Sequence, residues 1–223
     1  MSARTAFNVV RGALLAGALA LAALPATADD AVDYFRAVQL DGAGTVAKVL
    51  ARGLDPNLRE PHGSETGMIV AMRYDANRVL ATLLADPRTD IEAASANGTT
   101  ALMMAAFKHN RAGVDALLAK GAQVNRPGWT PLHFAAASGD EAIMTLLLAR
   151  GAAIDARAPG GLTPLMLAAR EGIEDAVKLL LAHGADSTLS DTDYRIDAAE
   201  FARRADKPWI VKLIAGHRVQ LKN

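Results

Sequence analysis

Three groups of residues in this chain have types and spacings that can do chemistry: the histidines, one glycine-rich turn, and a set of aromatic and cationic side chains. The five histidines, His62, His109, His133, His183 and His217, are scattered, and none has a partner at metal-ligand spacing. Gly42-Ala43-Gly44-Thr45-Val46-Ala47 has the spacing of a dinucleotide loop, but no strand precedes it, so a plain turn between helices is expected. There is no Gly-x-Ser-x-Gly, no His-Glu-x-x-His and no cysteine nucleophile. The reading is therefore no enzyme, no metal and no cofactor; an enzyme with an atypical site is the remote alternative. The third group is different. The chain has only two Trp, three Tyr and five Phe, yet Tyr74 adjoins Arg73 and Phe107 adjoins Lys108, with Trp129 further on. Such pairs suit non-covalent work, in which an aromatic buries apolar surface and a cation meets a carboxylate or carbonyl.

Composition narrows what such a surface can bind. Lys plus Arg and Asp plus Glu both number 24. Met1 to Arg11 holds two arginines and no acid, Gly12 to Leu24 holds no charge, and Pro25-Ala26-Thr27-Ala28 ends in small residues. This is the pattern of a secretory signal at residues 1–28, with cleavage after Ala28 and a periplasmic or secreted product; an uncleaved anchor is the alternative. Removing two arginines leaves about −2 of net charge, which points away from nucleic acid and from anionic membranes. No membrane insertion is expected after cleavage. With no cysteine there is neither a disulfide nor a lipoprotein anchor, so the fold must be held by packing. A composition rich in Ala and Leu and poor in aromatics favours an all-helical domain.

The elements that would position these residues are written more than once. GWTPLHFAAASGDEAIMTLLLARGAAID, from Gly128, is restated as GLTPLMLAAREGIEDAVKLLLAHGADS, with Thr130 and Thr163 in matching places 33 positions apart. Gly-Ala pairs at 121–122, 151–152 and 184–185 each follow an apolar helix. Six units result, at approximately 31–62, 63–96, 97–126, 127–158, 159–190 and 191–223, and a period in this range marks a solenoid. Each unit reads as two antiparallel helices and a turn. Thr130 caps the first helix and Pro131 occupies its first position. Leu132, Ala135 and Ala136 have the spacing of a buried face, and Gly139 ends the helix in a left-handed conformation. Ile143, Leu146 and Leu147 point inward from the second helix, which Gly151 stops. A unit of this size cannot bury its own apolar face and must stack on its neighbours.

Thr-Pro-Leu-His-x-Ala-Ala-x-x-Gly, an apolar helix, then Leu-Leu-x-x-Gly-Ala resembles the ankyrin-repeat family. The match is strong in units four and five. It is weaker in three, where His109 replaces glycine, and weaker still in two, which has Thr66-Gly67-Met68 and Asp75; one and six are degenerate. The resemblance implies an all-α solenoid of about six helix-turn-helix repeats with short β-turn or hairpin tips over 29–223. It also implies that His133 bonds the neighbouring turn and that partners bind the concave face. Carried over by position, that face holds Gln39, Leu40, Arg73, Tyr74, Phe107, Lys108, Ala137, Ser138, Arg170, Glu171, Arg204 and Ala205. Its tips hold Arg59, Glu65, Thr99, Trp129, Arg157, Leu162, Asp191 and Asp193. The partner-binding set is Arg73, Tyr74, Phe107, Lys108, Trp129, Arg157, Arg170 and Glu171, with the three aromatics expected as a solvent-facing row. The tip Asn125–Gly128 is about three residues shorter than Asp155–Gly161, which makes the groove uneven near Trp129. The expected function is an exported, monomeric module that binds an unidentified protein. The alternatives are an immunity protein that neutralises a toxin, or an accessory to an oxidative-stress enzyme such as catalase.

Overall fold

The computed structural model describes residues 28–60 and 64–220, so residues 1–27 of the expected signal lie outside the described residues. Among the described residues twelve α-helices follow in six antiparallel pairs: α1 (Ala28–Gln39) with α2 (Ala43–Ala51), α3 (Gly67–Arg73) with α4 (Asn77–Ala85), α5 (Ala101–Phe107) with α6 (Arg111–Ala119), α7 (Pro131–Ser138) with α8 (Glu141–Ala149), α9 (Pro164–Glu171) with α10 (Glu174–Ala182), and α11 (Ala198–Arg204) with α12 (Pro208–Gln220). No strand forms among the described residues. The tips hold only isolated antiparallel bridges, Arg59 with Thr66 and Ser190 with Asp197.

Local chemistry sets the helix ends. The Thr163 and Asp197 side chains accept from the backbone N–H three residues on, at 3.3 and 2.9 Å, and so satisfy donors that a helix start leaves free. Pro131 and Pro164 sit at the first helical position. Gly139 and Gly172 end α7 and α9 with φ of 84° and 79°. The other pairs have no glycine there, and Asp41, Asp75, His109 and Asp206 take the left-handed conformation instead. Asp41 and His109 put their side chains to use from it. Asp41 Oδ1 accepts from the Val79 N–H at 2.9 Å and its Oδ2 from Arg78 Nε at 2.8 Å; His109 Nδ1 lies 3.1 Å from Asp140 Oδ2. Gly42 falls in the turn between α1 and α2, as a plain inter-helix turn requires.

The six first helices form one layer and the second helices another. Buried alanines, among them Ala105, Ala135, Ala136, Ala168 and Ala169, let the first helices approach closely, whereas Leu117, Ile143, Leu147 and Leu180 hold the second layer apart. Unequal spacing of this kind bends a stack toward the first-helix side. Gly67 stands where α7 and α9 have proline, and a Cβ there would come within 1.9 Å of Tyr34 Oη. The departure in the second pair thus makes room for Tyr34, whose hydroxyl donates to the Pro56 carbonyl at 3.1 Å.

Candidate protein-binding groove

Side chains that follow each capping threonine by four positions form the floor of a groove on the first-helix side: Met104, Phe134 and Leu167. Phe107 and Trp129 close around Phe134. The Phe107 and Phe134 rings meet edge to face at 6.3 Å and 89°, and Trp129 meets Phe134 at 6.0 Å and 75°. Such geometry sets the positive edge of one ring against the negative face of another. Beside this cluster is a hollow of about 270 Å³, lined by Asn97, Thr99, Phe107, Trp129, Phe134 and Arg170 among others. A second hollow of about 330 Å³ shares Asn97, Thr99, Phe107 and Phe134 with it, and adds Lys108 and the Arg73–Glu65 pair. The two are compartments of one groove spanning several repeats.

His133 anchors the wall behind Trp129, whose ring lies 5.5 Å from the imidazole. It is fully buried. Its Nδ1 accepts from the Thr130 N–H at 3.2 Å, so Nε2 carries the proton and donates to the Leu162 carbonyl at 3.0 Å. Burial pushes its pKa below the usual histidine value. This is the bond to the neighbouring turn that the resemblance implied. Further side chains fix one repeat on the next: Asn57 accepts from the Asp90 N–H at 2.7 Å, Glu92 from Gln123 at 2.8 Å, Asn125 from Ala153 at 2.8 Å and Asp155 from Asp186 at 3.1 Å.

The structure brings together only part of the set picked from sequence. Phe107, Lys108, Trp129, Arg73 and Arg170 line the two compartments. Trp129 is half-buried against His133 and Phe134, which corrects the expectation that it faces solvent. The solvent-facing row of three aromatics is corrected with it. Tyr74, 52% exposed, and Phe107, 46% exposed, do face solvent, but Tyr74 lies outside both compartments, and only Phe107 and Trp129 join the cluster. Glu171 also lies outside them and pairs with Arg170 at 3.0 Å. Arg157 is occupied structurally, since its Nη1 donates to the Gly161 and Ser190 carbonyls at 3.4 and 3.1 Å. Arg59 ties its tip to the next in the same way, through Ser64 and Ala94. Asp191 accepts from the backbone N–H groups of Asp193, Tyr194 and Ile196. Phe134 was missed. The register shared by Met104, Phe134 and Leu167 was the signal that could have found it.

Among the described residues no three His, Asp or Glu side chains converge as metal ligands, and no helix is long and apolar enough to cross a membrane. The profile described as ankyrin repeats (3 copies) matches residues 35–128 and 123–191. The chain is similar to human transient receptor potential cation channel subfamily A member 1, 32% identical over 115 residues, covering 50% of this chain and 10% of that protein. It is 53% identical over 60 residues to mouse RelA-associated inhibitor, 26% of this chain and 7% of that one. It is 34% identical over 107 residues to human SH3 and multiple ankyrin repeat domains protein 2, 46% of this chain and 6% of that one. The chain thus spans a tenth or less of the length of these relatives.

Proposed function

Given that the chain belongs to the ankyrin-repeat family, whose repeats are protein–protein interaction modules, we propose that it is an exported, non-catalytic module that grips a partner protein in the groove around Phe134. The observation that carries this is the aromatic cluster. Phe107, Phe134 and Trp129 gather on one side of the stack next to open volume, with cations at both ends. Aromatic anchors beside arginine are the groups on which binding energy concentrates. The basic, apolar and small-residue sequence of residues 1–28 supports export to the periplasm or outside the cell with cleavage after Ala28. The test is capture of partners by the tagged chain from the compartment it reaches, beside Phe107→Ala/Trp129→Ala. A stoichiometric partner held by the first and released by the folded double variant supports the reading. Retention at full affinity by that variant refutes it.

A further inference from the structure

The structure assigns the hollow at the short tip to a single large apolar or aromatic side chain that a partner peptide presents next to a carboxylate. This rests on the groove being the binding face and goes on to name what it takes. Tip length is the first reason. The chain runs from α6 toward α7 through Asn125–Gly128, while the matching stretch before α9 is Asp155–Gly161. The longer tip leans on the one after it: the Thr192 N–H donates to the Gly160 carbonyl at 2.8 Å, and Arg157 reaches Ser190. In the short tip only Asn125 reaches the next repeat, through the Gly151 carbonyl and the Ala153 N–H; among the described residues no hydrogen bond joins Arg126–Trp129 to the tip on either side. The row of tips therefore has a gap, and the hollow of about 270 Å³ opens beside Trp129 at that gap.

Size and polarity decide what enters. The hollow is smaller than the roughly 300–1,000 Å³ of pockets that hold drug-sized ligands, and its aromatic lining suits one side chain. Charge decides what stands beside that side chain. Glu65 is the one acid among the residues lining the two compartments, and both its oxygens take hydrogen bonds from Arg73. Lys108 has no ion pair among the described residues, and the partner of Arg170, Glu171, stands outside the hollow. Two cations thus flank the aromatic cluster with no lining carboxylate left to them. Asn97 uses its Oδ1 on the Thr99 N–H at 3.2 Å, which turns its amide donors toward other use, such as a peptide carbonyl. A peptide with an apolar residue and an adjacent Asp or Glu satisfies each of these groups; a basic peptide meets repulsion at both ends.

The experiment is selection of a random peptide library on the immobilised chain, followed by fluorescence anisotropy with the selected peptides. The expected consensus holds Phe, Trp, Leu or Met within two residues of Asp or Glu. Replacing Asn125–Gly128 by the seven residues Asp155–Gly161 fills the gap and should weaken binding at least tenfold. Phe134→Ala gives the same loss should the grafted chain not fold by circular dichroism. Lys108→Glu with Arg170→Glu should weaken binding at least fivefold. Peptides selected without an acid, or binding unaffected by that charge reversal, overturn the inference and leave the groove as the binding face. Peptides whose binding survives both Phe107→Ala/Trp129→Ala and Phe134→Ala overturn the groove reading itself, and an unenriched library overturns the pocket.

Discussion

Replacing His133 by methionine isolates a titration that the packing of α7 against the next repeat creates. Methionine is the substitute the chain already uses, as Met103 and Met166, and in α9 the Thr163 N–H donates to Met166 Sδ at 3.4 Å. His133→Met therefore keeps the local contact with Thr130 and loses the bond from Nε2 to Leu162. The Leu162 carbonyl also accepts from the Ala158 N–H at 2.9 Å, so it is not orphaned. The cost at neutral pH should be that of one hydrogen bond, about 1 kcal/mol. The pH dependence follows from burial, which depresses the imidazole below its ordinary value of 6.5. Below pH 6.5 the unfolded chain binds a proton that the native chain does not, so stability is full above 6.5 and is lost as pH falls toward the depressed value. One proton sets the ceiling at about 1.4 kcal/mol per pH unit. Urea midpoints at pH 7.5, 6.5 and 5.5 provide the assay. Wild type should be the more stable at 7.5, and its advantage should shrink or reverse by 5.5. Equal pH slopes in the two proteins would refute the buried neutral imidazole.

Leu147→Ala empties a fully buried site between α8 and its neighbours and should cost about 2–5 kcal/mol in urea melts. Trp129→Ala, which strips two ring contacts from a half-buried indole, should cost about 2 kcal/mol. Gly139→Ala forces an L side chain to φ +84° with its Cβ 2.8 Å from Ile173 Cγ2, and a loss of about 1–3 kcal/mol in the same melts is expected. Asp41→Gly tests the reverse exchange. Relief of the left-handed backbone gains up to about 1 kcal/mol, the bonds to Arg78 and Val79 are worth about 1.5–3, and the midpoint should fall. Burial opposes ionisation of Asp191, but the N–H groups of Ile196, Tyr194 and Asp193 outweigh it and hold the carboxyl below the usual range. Its contribution is present above about pH 4 and lost as pH drops through that lower value, so Asp191→Asn should flatten the acid limb of the thermal melt.

The helix pairs were legible because a restated unit shows its own register: Thr130 and Thr163, Pro131 and Pro164, Gly139 and Gly172 take matching roles in space. The groove was legible only in part. Periodicity marks which end of a first helix lies at the groove, but it does not say which of two adjacent residues turns into it. Phe107 joins the cluster, while in the second pair its place is held by Arg73, and the aromatic Tyr74, one position on, stays outside. The sequence places Arg157 in the partner-binding set because its acceptors are backbone carbonyls, one of them 33 residues away, and carbonyls leave no trace in side-chain identity. Trp129 was read as exposed because its burial depends on Phe134, a position the repeated signature leaves unspecified.

The departures from the repeat therefore divide into two kinds. Asp41, Gly67 and His109 break the signature, yet each is answered nearby, by Arg78 and Val79, by Tyr34, and by Asp140. Exchanges of this kind maintain the stack by other means. The short tip is answered only at its first residue, Asn125, which bonds Gly151 and Ala153; among the described residues no hydrogen bond joins Arg126–Trp129 to a neighbouring tip, and one nitrogen of the Arg126 guanidinium is buried without a partner. A chain held by packing alone, with no cysteine, gains nothing in stability from such a gap. What lies beside the gap is the hollow lined by Trp129, Phe134 and Arg170. A departure that leaves the stack less tied and an aromatic cluster more open is where selection for binding, rather than for folding, is expected to have acted.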